Sequence, residues 1–203
     1  MMYLREDWQT PIYTSVRGGF GDGLVALAKQ DDRVVALSAD LVASVGFGKF
    51  AEHIGAPRLI EVGVAEQNLV TVASGLAAMG NIPFAASYAS FSPGRNWEQI
   101  RTTICLNNQP VKMVGSHAGL NVGPDGATHQ MLEDIALMRS LPNMVVLAPG
   151  DAYEAKLMAA VMATDSRPNY VRLPRADMPL FLNQARAILC AREQMWRCWA
   201  LAR

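Results

Sequence analysis

Short apolar runs rich in β-branched residues alternate along this chain with segments of helical pattern. The runs RVVALSAD (33–40), RLIEVG (58–63), IPFAAS (82–87), VKMVGS (111–116), MVVLAP (144–149) and YVRLP (170–174) read as buried strands. Helices are predicted between them at roughly 15–30, 65–79, 96–107, 129–140 and 151–164. Strand–helix–strand alternation forces parallel pairing through crossover helices. The predicted fold is therefore α/β: a doubly wound, mainly parallel sheet with helices on both faces. In such sheets ligands collect beyond the carboxyl ends of the strands, so chemistry-bearing residues just after a strand carry the most weight. Asp40, Glu66, Tyr88, Phe91 and His117 all stand there.

With 203 residues, 51% of them hydrophobic, the chain is long enough for one large domain with a developed core. Eighteen basic and eighteen acidic residues cancel, which leaves no global field to attract nucleic acid or an anionic membrane. No uninterrupted apolar run approaches the length of about 18 residues that spans a bilayer, and Glu6 and Asp7 stand where a signal peptide would be apolar. The three cysteines are odd in number and lack metal-ligand spacing, which predicts a reduced, cytoplasmic protein.

The stretch EVGVAEQNL (61–69) places Glu66 at the entrance to a helix that is otherwise nearly apolar. A carboxylate in a first helical turn gains about 0.3–1 kcal/mol from the helix dipole, so electrostatics alone could account for it. The neighbouring stretches offer a chemical account as well. In SYASFSPGRNWEQIR (87–101), Tyr88 and Phe91 follow a strand and precede a Ser-Pro-Gly turn, an exposed position that suits stacking on a planar ring. In SHAGLNVGPDGATHQ (116–130), glycines and a proline exclude regular structure, and two histidines, His117 and His129, frame the loop with Asp125 between them. His129 is expected at the start of a helix burying Leu132, Ile135 and Ala136, where the positive helix end would keep its imidazole neutral.

Together the stretches VGVAEQNLVTVASGLAAMG, SYASF…WEQIR, HAGLNVGPDGATHQMLEDIALMRSLPNMVVLAP and YVRLPR resemble the pyrimidine-binding domain of thiamine-diphosphate enzymes of the transketolase group, over roughly residues 10–178. The likeness is strongest to the C-terminal subunit of split, two-gene transketolases. It extends to the middle domain of 1-deoxyxylulose-5-phosphate synthase and, more distantly, to the β-subunits of 2-oxoacid dehydrogenases.

The resemblance implies specific roles. Glu66 matches the glutamate that bonds N1′ of the cofactor's aminopyrimidine and favours the imino tautomer, whose N4′ takes the proton from C2 of the thiazolium. Phe91 and Tyr88 match aromatics that stack on the aminopyrimidine, and Asp40 a residue on the thiazolium side. His117 matches a histidine near the reacting carbon, while Asp125 and His129 match contacts to substrate hydroxyls. Arg17, Ser44 and Arg175 match positions that hold the sugar phosphate. The implied activity is transfer of a two-carbon ketol unit between sugar phosphates.

In the family a separate domain holds the diphosphate and Mg²⁺ through a Gly-Asp-Gly…Asn motif. Gly21-Asp22-Gly23 has the opening of that motif, but the next asparagine is Asn68 and the stretch lies in a helical pattern. No metal site is assigned to this chain. The expected partner is an N-terminal, diphosphate-binding subunit, within a dimer or heterotetramer. The domain is expected over 1–178. Residues 179–203, basic and rich in tryptophan, match nothing in the family, whose further C-terminal domain is absent from the sequence. Pyruvate-dependent synthase chemistry and a catalytically silent binding module stay open as alternatives.

Overall fold

The computed structural model describes Asp7 and residues 9–181. Six parallel strands form the central sheet in the order β3-β2-β4-β5-β7-β6: β2 (Val34–Ser38), β3 (Leu59–Glu61), β4 (Ile82–Tyr88), β5 (Lys112–Ser116), β6 (Val145–Leu147) and β7 (Asn169–Arg172). The register pairs Ala36 with Phe84, Ala85 with Met113 and Val114 with Val171. The inner strands β2, β4 and β5 bury both of their faces. Val34, Ala36, Phe84, Ala86 and Val114 pack against Phe20 and Leu24 of α1 (Val16–Ala28) and Met158 and Met162 of α6 (Ala152–Thr164). The alternate residues Val35, Leu37, Ala85, Met113 and Tyr170 face Leu69, Val70 and Ala73 of α3 (Glu66–Ala78) and Met138 of α5 (Asp134–Arg139). This is the doubly wound α/β fold the alternation predicts. Both faces are covered, so the strands read as unbroken apolar runs.

Polar residues set the helix starts. Ser15 caps α1 by accepting from the Gly18 N–H at 3.1 Å, and Asp151 caps α6 by accepting from the Glu154 N–H at 2.9 Å. Besides the 3-10 turns of Leu120–Thr128, interrupted at Gly123 and Gly126 in the glycine loop, two short elements lie outside the predicted pattern. One is the helix α2 (Gly48–His53). The other is a two-residue antiparallel ribbon of β1 (Tyr13–Thr14) with β8 (Met178–Pro179), which ties together the two ends of the described chain.

Two predicted helices come out differently. The 96–107 helix is one α-turn, α4 (Trp97–Gln99), running into a π-helical segment at Ile100–Cys105. The 129–140 helix starts only at Asp134. Before it, the chain returns across the glycine loop: Gly119 bridges Met131, and the Gly119 N–H donates to the Met131 carbonyl at 2.7 Å. Asp134 is drawn inward by the Tyr170 hydroxyl at 2.9 Å and the Arg172 Nε at 3.0 Å, and the helix begins there. Leu132 and Ala136 are exposed; the inward positions are Met131, Asp134 and Met138. His129 thus sits five residues before α5, not at its start as expected.

The unmatched tail lies, from residue 182 onward, outside the described residues. Among the described residues no helix is long and apolar enough to cross a membrane.

Candidate active site

Glu66 opens α3, and the cap residue Ala65 makes no side-chain hydrogen bond to the helix start. The Glu66 carboxyl does not stay at the solvated helix end. It is 3% exposed and turned toward the carboxyl end of β4, where the Ser87 Oγ donates to Oε1 at 3.3 Å and the Arg95 Nη1 donates to Oε2 at 3.1 Å. The Asn96 Nδ2 donates to the Glu66 backbone carbonyl at 2.8 Å and to the Ser92 Oγ at 3.1 Å, pinning the helix start to the turn after β4. Dipole stabilisation needs only proximity to the helix end. Burial against two designated donors exceeds that requirement.

Beside this carboxyl, aromatic rings gather at the strand ends. Tyr88 and Phe91 lie with centroids 6.0 Å apart and planes 19° from parallel. His117 stacks on Tyr88 at 3.8 Å, and His129 meets Phe91 edge-on at 5.3 Å and Tyr88 at 6.0 Å. His117 follows β5 directly with φ of 59°, and Asp40 follows β2 with φ of 62°. Side chains larger than glycine seldom take that backbone region, and such strain concentrates at functional sites. The His117 Nδ1 shares a hydrogen bond with the Ser116 Oγ at 2.8 Å, as the His129 Nδ1 does with the Thr128 Oγ1 at 2.9 Å. Burial first, and then the charges of Arg17 and Arg175, push the His117 pKa down to about 4. At neutral pH it is an uncharged hydrogen-bonding ring.

The three positions matched to phosphate binding meet next to it. Arg17, on α1, donates to the carbonyl of Ser44 and, at 3.1 Å, to that of Arg175. Its Nε is buried without a partner. Arg175 donates from Nη1 to the Val122 carbonyl at 2.5 Å and lies 3.7 Å from the Asp125 carboxylate. Arg17, Ser44, Arg175, Asp125 and His117 therefore form one cluster, with Ser44 contributing its carbonyl to the Arg17 contact. Asp40 stands apart, toward the β2–β3 edge, where its backbone N–H donates to the Glu61 Oε1 at 2.5 Å.

The residues present suit an aminopyrimidine: a buried carboxyl for a ring nitrogen, and beside it an aromatic face already carrying a planar group. The Arg95 guanidinium carbon lies 4.1 Å from the Phe91 centroid. Sequence reasoning missed Ser87, Arg95, Asn96 and Glu61. Only Arg95 had a readable signal, a lone cation four residues after Phe91 in an otherwise uncharged turn.

Gly21-Asp22-Gly23 serves packing. A Cβ on Gly21 would lie 2.2 Å from the Gly46 carbonyl oxygen, and one on Gly23 would lie 2.2 Å from that of Lys156. Asp22 pairs with Lys49. Among the described residues no group of three His, Cys, Asp or Glu could hold a metal ion.

Residues 13–179 match the family described as "Transketolase, pyrimidine binding domain". A protein of Methanocaldococcus jannaschii, provisionally named a transketolase C-terminal section, is 46% identical over 166 residues, covering 82% of this chain and 52% of that protein. A 1-deoxy-D-xylulose-5-phosphate synthase of Syntrophus aciditrophicus is 43% identical over 167 residues, covering 82% of this chain and 25% of the synthase. Among solved structures, a split-gene transketolase described as an inactive β4 tetramer superposes with a TM-score of 0.74 at 40% identity, over 84% of this chain and 54% of that one. The match thus spans about half or less of each relative's length. By its fold, its family match and these relatives, the chain belongs to the transketolase pyrimidine-binding domain family.

Proposed function

We propose that this chain supplies the aminopyrimidine half of a thiamine-diphosphate site in a cytoplasmic transketolase-type transferase, which moves a two-carbon ketol unit between sugar phosphates. The observation that carries the proposal is the buried Glu66 carboxyl facing the aromatic floor at the end of β4. When bound, the cofactor supplies the electron sink for breaking the carbon–carbon bond.

Every other role belongs to this chain's side chains. Glu66 shares a proton with the ring nitrogen, and its burial keeps water from competing for that bond. Phe91 and Tyr88 fix the plane of the ring. Asp40 would approach the cofactor from the thiazolium side. His117, neutral at pH 7, and His129 exchange hydrogen bonds with substrate hydroxyls, together with Asp125. Arg17, Ser44 and Arg175 receive the phosphate end, and the unpartnered Nε of Arg17 is a donor available for it.

The diphosphate and Mg²⁺ are assigned to an N-terminal partner subunit, within a dimer or heterotetramer. The commitment of Gly21-Asp22-Gly23 to helix packing supports this reading.

The test is to mix the chain with a diphosphate-binding transketolase subunit from the same source. The mixture is then assayed with a ketose phosphate and an aldose acceptor, with thiamine diphosphate and Mg²⁺ present. Turnover should require both chains, and Glu66→Ala should lower kcat by about 10²–10⁴-fold, the usual worth of a positioned acid–base group. Turnover indifferent to Glu66 sinks the assignment. The similarity to the synthase keeps a second reading in view, pyruvate as donor. Comparing hydroxy-ketose with pyruvate in the same assay separates the two.

A further inference from the structure

The turn after β4 is built so that residue 95 lies over residue 91. The Arg95 N–H donates to the Phe91 carbonyl at 2.8 Å, a helical i, i+4 step that brings the two side chains to one face. Gly94 makes the step possible, because a Cβ there would lie 1.9 Å from the Ser90 carbonyl oxygen. The result is a guanidinium with two simultaneous contacts: its central carbon over the Phe91 ring, 4.1 Å from the centroid, and its Nη1 on the Glu66 Oε2 at 3.1 Å. These are the two contacts an aminopyrimidine requires, a stacking face and the carboxyl edge. A guanidinium is itself planar, delocalised and edged with N–H donors.

We propose that Arg95 is an internal stand-in for the aminopyrimidine: it holds Glu66 and Phe91 in the free chain and must swing out for the ring to enter. This rests on the assignment of the seat to an aminopyrimidine. Arg95 is the part that moves. Its side chain is 51% exposed, and Nη1 is its only atom on Glu66. Glu66 keeps its place without it, through Ser87 on the carboxyl and Asn96 on the backbone. The arrangement serves the chain in a definite way. A buried carboxylate with no cation is costly, and Arg95 is the ion-pair partner of Glu66 among the described residues. The stand-in keeps the carboxyl aimed and compensated until the partner subunit delivers the cofactor. The cost is competition. Apparent affinity for the ring falls by the fraction of chains in which Arg95 has already left.

The pyrimidine half of the cofactor, 4-amino-5-hydroxymethyl-2-methylpyrimidine, is the probe. It is titrated by NMR onto the full chain and onto its Arg95→Gln, Arg95→Lys and Glu66→Ala variants, up to the solubility limit of the fragment. Arg95→Gln should bind it about three- to tenfold more tightly than wild type, the size expected from removing one part-exposed ion pair and one cation–π contact. Arg95→Lys, which keeps the charge but loses the plane, should fall between. Added salt should tighten binding to wild type and leave Arg95→Gln unchanged. Binding that needs Glu66 but is equal or weaker in Arg95→Gln overturns the stand-in while leaving the aminopyrimidine seat intact. Binding that is absent throughout, or indifferent to Glu66→Ala, overturns the seat and the stand-in together.

Discussion

At residue scale, His117 shows how place decides chemistry. Its ring is buried, stacked on Tyr88, near the charges of Arg17 and Arg175 and tied to the Ser116 Oγ; burial first and then the two arginines disfavour the protonated form, and the pKa falls to about 4. The native state therefore takes up no proton at His117 between its unfolded value near 6.5 and about 4, whereas the unfolded chain does. Stability tied to this residue is complete above pH 6.5 and is lost as pH falls through that window, at about 1.4 kcal/mol per pH unit at most. His117→Asn isolates the effect, because asparagine tolerates the φ of 59°. Plotted as Tm against pH, the variant should lose less stability than wild type between pH 6.5 and 4; parallel curves would contradict the assigned environment. Glu66, Tyr88, Phe91 and His117 were readable in the sequence because each follows a strand end. Ser87 was not, because its role arises from a contact between α3 and the end of β4 that no sequence spacing encodes, and Arg95 offered only its place as a lone cation four residues after Phe91. His129 was misread in setting: the loop closes on Met131 and delays α5 to Asp134, which is anchored from the sheet by Tyr170 and Arg172.

At the scale of elements, glycines in helices carry opposite meanings. α1 and α6 run side by side in the same direction, with Gly19 against Ala152 and Gly23 against Lys156. A Cβ at either glycine would sit 2.2 Å from a backbone carbonyl oxygen of α6. Gly23→Ala must push the helices apart, and we expect a loss of about 1–3 kcal/mol from overpacking a backbone that has no rotamer to yield. Gly75, on the outer side of α3, has nothing within 4 Å of a built Cβ. Gly75→Ala should stabilise the chain by about 0.5–1 kcal/mol through helix propensity. Chemical denaturation of the two variants checks both signs at once, and similar effects at the two sites would refute the packing role. Helix existence was legible from periodicity, but this contrast was not. A glycine looks the same in sequence whether a neighbouring backbone or open water lies beside it.

For the whole molecule, the alternation of runs announced parallel strands but not their order. The arrangement β3-β2-β4-β5-β7-β6 depends on pairings between distant segments, and the β1–β8 ribbon on two residues from each end of the described chain. That order brings the ends of β2, β4 and β5 together, and so puts Asp40, Glu66, Phe91 and His117 on one rim. The same rim carries Val64, 69% exposed two residues before Glu66, and Leu120, 64% exposed three residues after His117. If a partner subunit completes the site, it must close over this rim and cover both side chains. Overall charge cannot guide the approach, since acidic and basic residues balance, so apolar contact should carry much of the affinity. Val64→Asp and Leu120→Asp each bury a charge if the subunits dock this way. Each should weaken association by about tenfold or more, while as surface changes they shift the lone chain's stability by no more than about 0.5 kcal/mol. Calorimetric titration of the partner subunit into each variant, beside the lone chain's unfolding curve, reads both quantities. Association unaffected by either substitution would move the docking face off this rim, and the completed active site could not then lie over Glu66.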